Sequence, residues 1–290
     1  MILLKNTIKI LKRLNAIASN KLFIIFEIFQ SYIFFKKKLK ILFSPKHEWE
    51  SSIKNGFQYT QHEILFDEIS SSNIKDYDLI VPLTIHDLKY LNEVRNLIID
   101  NPIPIPSMEN ILLCDDKDLF NKTLIAKGFG YLIPNIGCEQ TYPYILKKKI
   151  DEWGVNSHII FNAEQEYIFS DALTNPEYFS QQFIIGSKEY ATHILIKDMQ
   201  IICSLTIEYN FETETPIKGK DEPIYTKIIS TPPYLKVFSS VLTAINFNGL
   251  CCINYKVYKN SPFIMEINPR FGGSLGSYFF SFVEACQGTK

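Results

Sequence analysis

The stretch Phe263-Ile-Met-Glu-Ile-Asn-Pro-Arg-Phe-Gly-Gly-Ser274 holds the densest chemistry in the chain. Its apolar run is interrupted by one acid, Glu266, and a carboxylate inside a strand is costly to desolvate unless something pairs with it. Side chains alternate along a strand, so Asn268 shares a face with Glu266, about 7 Å away. A carboxylate and an amide oxygen are hard ligands suited to Mg²⁺. Pro269 ends ladder pairing, and Arg270 brings a fixed cation with forked donors. Gly272, Gly273 and Ser274 let backbone N–H groups approach an anion. Acid, amide, arginine and bare backbone in that order point to metal-bound polyphosphate. A buried strand with a salt bridge before a turn would explain Glu266 and Arg270, but not the whole order.

Glu-Ile-Asn-Pro-Arg resembles the metal-binding strand of the ATP-grasp superfamily, whose ligases include carbamoyl phosphate synthetase, biotin carboxylase and D-alanine–D-alanine ligase. Other segments follow in the same order. Asp115-Asp116-Lys117, an apolar stripe through Leu119, Phe120, Leu124 and Ile125, then Gly128 and Pro134, is similar to the superfamily's opening segment. The resemblance gives Lys117 a contact to nucleotide phosphate. Tyr142-Pro-Tyr-Ile-Leu-Lys-Lys-Lys149 has the Pro-x-x-x-Lys form of the second phosphate lysine, which falls on Lys147, with Lys149 at a further basic position. Gln181-Gln-Phe-Ile-Ile-Gly-Ser-Lys-Glu-Tyr190 resembles the hinge between two lobes. It implies adenine against Gln182, Phe183 and Ile184, and ribose hydroxyls on Glu189; a hairpin with a charged tip is the bland alternative. Antiparallel pairing of 249–257 with the opening stretch would bring Asn254 toward Glu266. The superfamily carries another metal ligand about there, and an amide at that place resembles the carbamoyl phosphate synthetase-like members. One neutral ligand implies a single tight Mg²⁺, or weaker binding of a second ion. Mn²⁺ is the alternative metal.

The resemblance implies an ATP-dependent ligase that activates a small-molecule carboxylate as an acyl phosphate, releases ADP, and passes the acyl group to an amine-type acceptor. Arg270 and Lys147 would stabilise the charge that moves, and Gly272, Gly273 and Ser274 would hold substrate by backbone. His193 and the polar loop from Glu208 to Asp221 are expected to border the acceptor, although a lone histidine is more often structural. The segment Asp151–Ser157 departs from the superfamily's glycine-rich loop by having one glycine, Gly154, so Asn156 and Ser157 stand in as donors. That departure, with Asn254, motivates a second reading: a nucleotide-binding module without ligase turnover.

These residues need elements to position them. The expected class is α/β with α+β lobes: an ATP-grasp fold over 114–290, divided at 185/186, after a small parallel, Rossmann-like α/β domain over 39–113. Leu39–Ser44 and Tyr77–Leu83 read as its strands, while Ile53–Ile64 and Leu88–Ile99 carry mixed signals and 101–107 an extended, proline-rich connection. No Gly-x-Gly-x-x-Gly follows either strand, which removes support for a nicotinamide site. Thr192–Ile196 and Gln200–Ile207 read as a hairpin with three residues between strands, and Tyr234–Phe247 as a helix.

Length and composition bound the rest. The chain has 290 residues, 46% hydrophobic, with a net charge of −1, enough for two domains and without the basic excess that nucleic acid demands. Six cysteines show no zinc spacing, and adjacent Cys251 and Cys252 would face opposite sides of a strand, so a reduced, cytoplasmic setting is expected. Residues 1–38 place Lys5, Lys9, Lys12 and Arg13 before an aromatic run from Leu22 to Phe35 and Lys36-Lys37-Lys38 after it. The run is too short and polar for a span, and no small-residue cleavage site follows it. It reads either as an amphipathic helix packed on the protein or as one lying on an anionic membrane surface.

Overall fold

Residues 2–33, 37–137, 141–152 and 154–287 are described by the computed structural model of the chain. Helix α1 (Ile2–Ile33) comes first, followed by strand β1 (Lys40–Phe43), helix α2 (His47–Phe57), β2 (Glu63–Phe66), β3 (Leu79–Val81) and helix α3 (Ile85–Glu93). β1 is the middle strand of a parallel sheet in the order β2-β1-β3. The mixed signal over Ile53–Ile64 resolves into helix and then strand. Trp49, Ile53 and Phe57 recur every four residues and are buried on one face of α2, whereas Ile64 pairs with Ile41 in the sheet. Around Leu88 the helical reading wins because Thr84 and Asp87 form a reciprocal capping box at its start.

Helices α4 (Met108–Asp115) and α5 (Lys117–Leu124) open the next part. Asp116 caps α5 by accepting from the N–H groups of Asp118 and Leu119. Strand β4 (Tyr144–Lys148), β5 (His158–Ile160), two short helices α6 (Ala163–Ile168) and α7 (Ser170–Thr174), and β6 (Tyr178–Gln182) follow. They give an antiparallel sheet in the order β5-β4-β6. The last part holds β7 (Lys188–Lys197), β8 (Gln200–Asn210), β9 (Tyr225–Ile229), α8 (Leu235–Ala244), β10 (Gly249–Tyr258), β11 (Ser261–Asn268) and α9 (Phe279–Gln287). Its five strands are all antiparallel, ordered β11-β10-β7-β8-β9.

Several local expectations change. For Gln181–Tyr190 it is the alternative, a hairpin, that falls away: β6 and β7 lie in different sheets, and 183–187 carry the chain from one to the other. The β7–β8 turn has two residues between strands instead of three, because Asp198 and Met199 both take positive φ, the geometry that matches strand twist in the tightest hairpins. β8 runs on to Asn210, so Glu208 belongs to a strand and the polar loop is 211–224. Cys114, Cys251 and Cys252 are free and buried; Cys138 lies outside the described residues. Among those residues no helix is long and apolar enough to cross a membrane.

Two cores flank the β10–β11 hairpin. Phe43, Trp49, Phe57, Phe271 and Phe279 join the parallel sheet to the end of the chain, while Phe120, Phe238, Cys251, Ile253, Tyr255, Ile264 and Ile267 pack under the hairpin. Ile264 and Ile267 are three apart, so strict alternation would put them on opposite faces. A bulge between Glu266 and Ile264, opposite Asn254 and Tyr255, reconciles them. Both isoleucines face the core, and Glu266 and Asn268 keep the other face.

Candidate active site

The free face of the hairpin and the inner face of β4 meet across a cluster of charges. Asn254 and Glu266 are directly paired in the ladder, and Asn254 Nδ2 donates to Glu266 Oε1 at 2.7 Å. Asn268 Nδ2 donates to the same oxygen at 3.0 Å. The other carboxylate oxygen lies 3.6 Å from Lys117 Nζ. Burial alone would push the Glu266 carboxyl up. The Lys117 charge and the two amide bonds outweigh it and hold the group down to about 2. Lys117 reaches this point from the start of α5, which is tied to the end of β4 by a bond from its backbone N–H to the Lys149 carbonyl. Its Nζ also donates to the Asp151 carbonyl at 2.5 Å.

Lys147 projects from β4, buried, with its Nζ 2.9 Å from Gln181 Oε1. Desolvation lowers it to about 8, against the pull of Glu266 and with help from the Lys117 charge. Glu189 on β7 is buried nearby, and burial raises its carboxyl despite Lys218 and Lys256. A cavity of about 520 Å³ opens beside these groups, lined by Glu189, Lys218, Asn254, Glu266, Asn268, Arg270 and Gly272–Ser274, with Trp49 and Glu152 closing its other side.

Arg270 is buried and points at Glu152, Nη2 to Oε1 at 2.5 Å, with Nη1 donating to the Phe271 carbonyl at 3.2 Å. Lys46 takes the second Glu152 oxygen at 3.2 Å. Both cations lie over the Trp49 ring, Lys46 at 4.2 Å and Arg270 at 5.5 Å. Glu152 thereby joins the 151–157 loop to α2 and to the turn after β11. Gly273 has to be glycine here, since a Cβ would overlap the Trp49 indole, and one at Gly272 would sit 2.7 Å from His193 Cε1.

Not every expected residue turns toward the cavity. Lys149 pairs with Asp118 at 3.4 Å. Gln182 uses its backbone N–H and its side chain on Asn135; strand alternation gives the inner position to Gln181. Phe183 and Ile184 are buried in the inter-sheet connection. His193 is fully buried behind Ser274, its Nε2 2.8 Å from Ser274 Oγ, and it does not line the cavity. Desolvation brings its pKa to about 3, so it is neutral and a support for the Ser274 hydroxyl. Asn156 is spent within its own loop, donating twice to Asp151 at 3.0 Å.

Lys218, in the polar loop expected to border the acceptor, lines the cavity, donates to Asn254 Oδ1 at 2.6 Å and lies 4.5 Å over the Tyr209 ring. Two residues went unread in the sequence. Lys256 donates to the carbonyls of Ile184 and Gly186 at 3.1 and 3.2 Å, fixing the connection between the sheets. It stands two residues after Asn254, so alternation already placed it on this face. Trp49 stands 222 residues before Phe271, in the turn it covers, and only the fold joins them.

The profile of the ATP-grasp domain matches residues 114–274, more than half of the chain. This chain belongs to the ATP-grasp family. Solved structures of that fold superpose on it. A phosphoribosylamine–glycine ligase from Thermotoga maritima is 14% identical with a TM-score of 0.63, covering 87% of this chain and 76% of its own. A D-alanine–D-alanine ligase from Bacillus anthracis, solved with ATP, is 15% identical with a TM-score of 0.55, covering 87% of this chain and 97% of its own. An L-amino acid ligase from Bacillus licheniformis is 11% identical with a TM-score of 0.57, covering 84% and 70%. At such identities the likeness is one of fold. No curated protein matches the chain significantly. The ATP-grasp fold predicted from Glu266, Asn268 and Arg270 is therefore the one the chain adopts, with the parallel sheet preceding the two antiparallel ones.

Proposed function

We propose that this ATP-grasp protein is an ATP- and Mg²⁺-dependent ligase that converts a small-molecule carboxylate to an acyl phosphate and joins it to an amine. The observation that carries the reading is Glu266, an ionised carboxylate held by two amides and a lysine on the wall of a cavity that also receives Arg270. The donor set fits a hard cation. Glu266 offers anionic oxygen, and an amide can present oxygen or nitrogen from one position, so Asn254 and Asn268 supply neutral oxygens beside it. Bound there, Mg²⁺ or Mn²⁺ would draw charge off the phosphoryl oxygens.

The residues of this chain have the following work. Lys117 and Lys147 hold the phosphates, and Glu189 takes the ribose hydroxyls. Buried Phe183 and Ile184 wall the base, and Gln182 contributes backbone. A substrate carboxylate oxygen attacks the terminal phosphorus, and the bond to the bridging oxygen breaks to release ADP. Arg270 pairs with the acyl phosphate, freed from Glu152 by the stronger anion. Backbone at Gly272 and Gly273, with the Ser274 hydroxyl steadied by His193, orients the acid. The amine then attacks the acyl carbon and phosphate leaves. Lys149, paired with Asp118, acts on the nucleotide only through the position of α5.

The division into 39–113, 114–185 and 186–290 is part of the same reading. Each range contains one complete sheet. The names of the similar structures, ligases that act on glycine, D-alanine and L-amino acids, support an acid of amino-acid size as the carboxylate that is activated. A net charge of −1 supports small-molecule partners over nucleic acid.

Incubation with ATP, Mg²⁺, hydroxylamine and a panel of amino acids, sugar acids and short peptides tests the reaction. A hydroxamate with stoichiometric ADP and phosphate is expected. AMP and pyrophosphate would overturn the acyl phosphate. ATP binding without acid-dependent ADP release across the panel would favour a nucleotide-binding module, the reading that the occupied Arg270 and neutral Asn254 support.

A further inference from the structure

Helix α1 exposes more large apolar side chains than any other element among the described residues. Leu11, Leu14, Leu22, Ile25, Phe26 and Phe29 are all exposed, from 53% for Leu11 to 67% for Leu22. Their steps of three, four and eight residues place them on one face of a helix. From Leu11 to Phe29 that stripe is about 27 Å long. Isolated exposed leucines need no explanation, but a continuous stripe does.

Part of the opposite face is already covered. Ala16 is buried, and Phe23, Ile24 and Ile28 pack against the core that contains Phe43 and Phe279. Asn20 pairs with the backbone of edge strand β9, donating to Thr226 O at 3.1 Å and accepting from Ile228 N at 2.9 Å. Lys9 pairs with Glu212, in the loop that borders the cavity. The helix is thus fixed to the body with its apolar stripe turned outward.

Charge selects the occupant. The range 2–33 contains Lys5, Lys9, Lys12, Arg13 and Lys21 against one acid, Glu27, in a chain whose net charge is −1. Lys12 and Lys21 are exposed and fall on either side of the stripe, where long stems can lie along apolar surface while the ammonium groups reach outward. Glu27 is on the inner side, and no acid is among the exposed side chains of the helix. Two copies meeting stripe to stripe would set these basic rims against each other. Aliphatic and phenyl side chains rimmed by lysine match a surface that is apolar below and anionic above, and the helix is not apolar enough to go through it.

We propose that α1 is an in-plane membrane anchor that docks the protein on anionic lipid through the Leu11–Phe29 stripe, with Lys12 and Lys21 at the headgroups. This stands apart from the ligase reading and holds or fails without it. The full-length protein is sedimented with vesicles of phosphatidylcholine alone or with about 30% phosphatidylglycerol, an anionic fraction that sets up the surface potential. Binding to the anionic vesicles is expected, at least about tenfold tighter than to neutral ones and weakened by salt. The variant Leu22→Ser/Ile25→Ser/Phe29→Ser alters only exposed positions, so it should keep its circular dichroism and melting temperature and lose the binding. Lys12→Glu/Lys21→Glu should weaken anionic binding by at least about twentyfold and neutral binding little. Absence of binding to anionic vesicles would overturn the proposal, as would retention of binding by the folded serine variant. A dimer that the serine variant turns into a monomer, with no vesicle binding by either, would assign the stripe to self-association and overturn it too.

Discussion

The β10–β11 hairpin and helix α1 break the usual distribution of polarity in opposite senses. The hairpin buries charge: Glu266, Lys147 and Arg270 sit in or beside it, each with a named partner. α1 exposes apolar surface for which the described residues offer no cover. Desolvating a charge is costly enough that the fold must answer it internally, with two amides and a lysine for one carboxylate. Leaving a leucine in water costs far less, so a helix can carry such a stripe while its other face holds it in place. The hairpin is therefore a site whose parts depend on one another, and α1 a surface whose parts act additively.

The largest break in that comparison is Glu266→Gln. It removes one charge at nearly constant volume, so turnover should fall by at least about a hundredfold with the fold intact. Near-normal turnover at low millimolar Mg²⁺ would take Glu266 out of the metal site. Next comes Lys147→Ala, which should weaken ATP by about tenfold to a hundredfold. Adenosine should be nearly unaffected; equal losses for both ligands, by calorimetry, would make Lys147 structural.

Acid–base behaviour sharpens the same point. Lys147 has its proton affinity lowered to about 8 by burial, so in the free protein it loses charge as pH rises through that value. The phosphates need the cation. ATP affinity should therefore weaken from pH 7.5 upward, by about tenfold per unit well above 8, with proton uptake on binding. Lys147→Arg, always charged, should flatten the profile. A wild-type affinity that is level to pH 9.5 would show that the cation is not used.

On the other side of the comparison, removing residues 1–36 is a harsher change than it looks. Phe23, Ile24 and Ile28 pack, partly buried, against the core, so their loss should lower the melting temperature by several degrees, whereas Leu22→Ser should leave it within about a degree. Equal effects from both would mean that the inner face contributes no packing. The smallest change expected is Glu152→Gln. Its carboxylate is 45% exposed, and a partly solvated bridge contributes little. The Michaelis constant for ATP should shift by at most about fivefold. A hundredfold change would make the bridge to Arg270 a principal restraint on the cavity.

Much of the site was legible because local rules govern it. Alternation alone put Glu266 beside Asn268, and hairpin pairing brought in Asn254. Alternation also cuts against the reading at Gln182, where the neighbouring Gln181 holds the inner position beside Lys147. The bulge at Met265 was not legible. An apolar run with one acid is equally consistent with a regular strand, and the bulge is resolved only when Ile264 and Ile267 both find the core under α8. His193 shows the same limit: the sequence left it between the acceptor's border and a structural place, and its burial behind Ser274 decides for the second.

By itself the sequence determined the things that depend on residue type and short spacing. These are the order of the ATP-grasp segments, the grouping of one acid with two amides at Asn254, Glu266 and Asn268, and the amphipathic character of residues 2–33. Only the tertiary structure decided which charges meet. Lys218 reaches Asn254 from a loop, Glu152 reaches Arg270 from the loop after β4, and Trp49 roofs Gly273 from the first helix after β1. It also decided which face of α1 is left outside, because that depends on where β9 presents its edge. Such contacts form between segments far apart in the chain. Their partners are chosen by packing and electrostatic complementarity, which no local periodicity encodes.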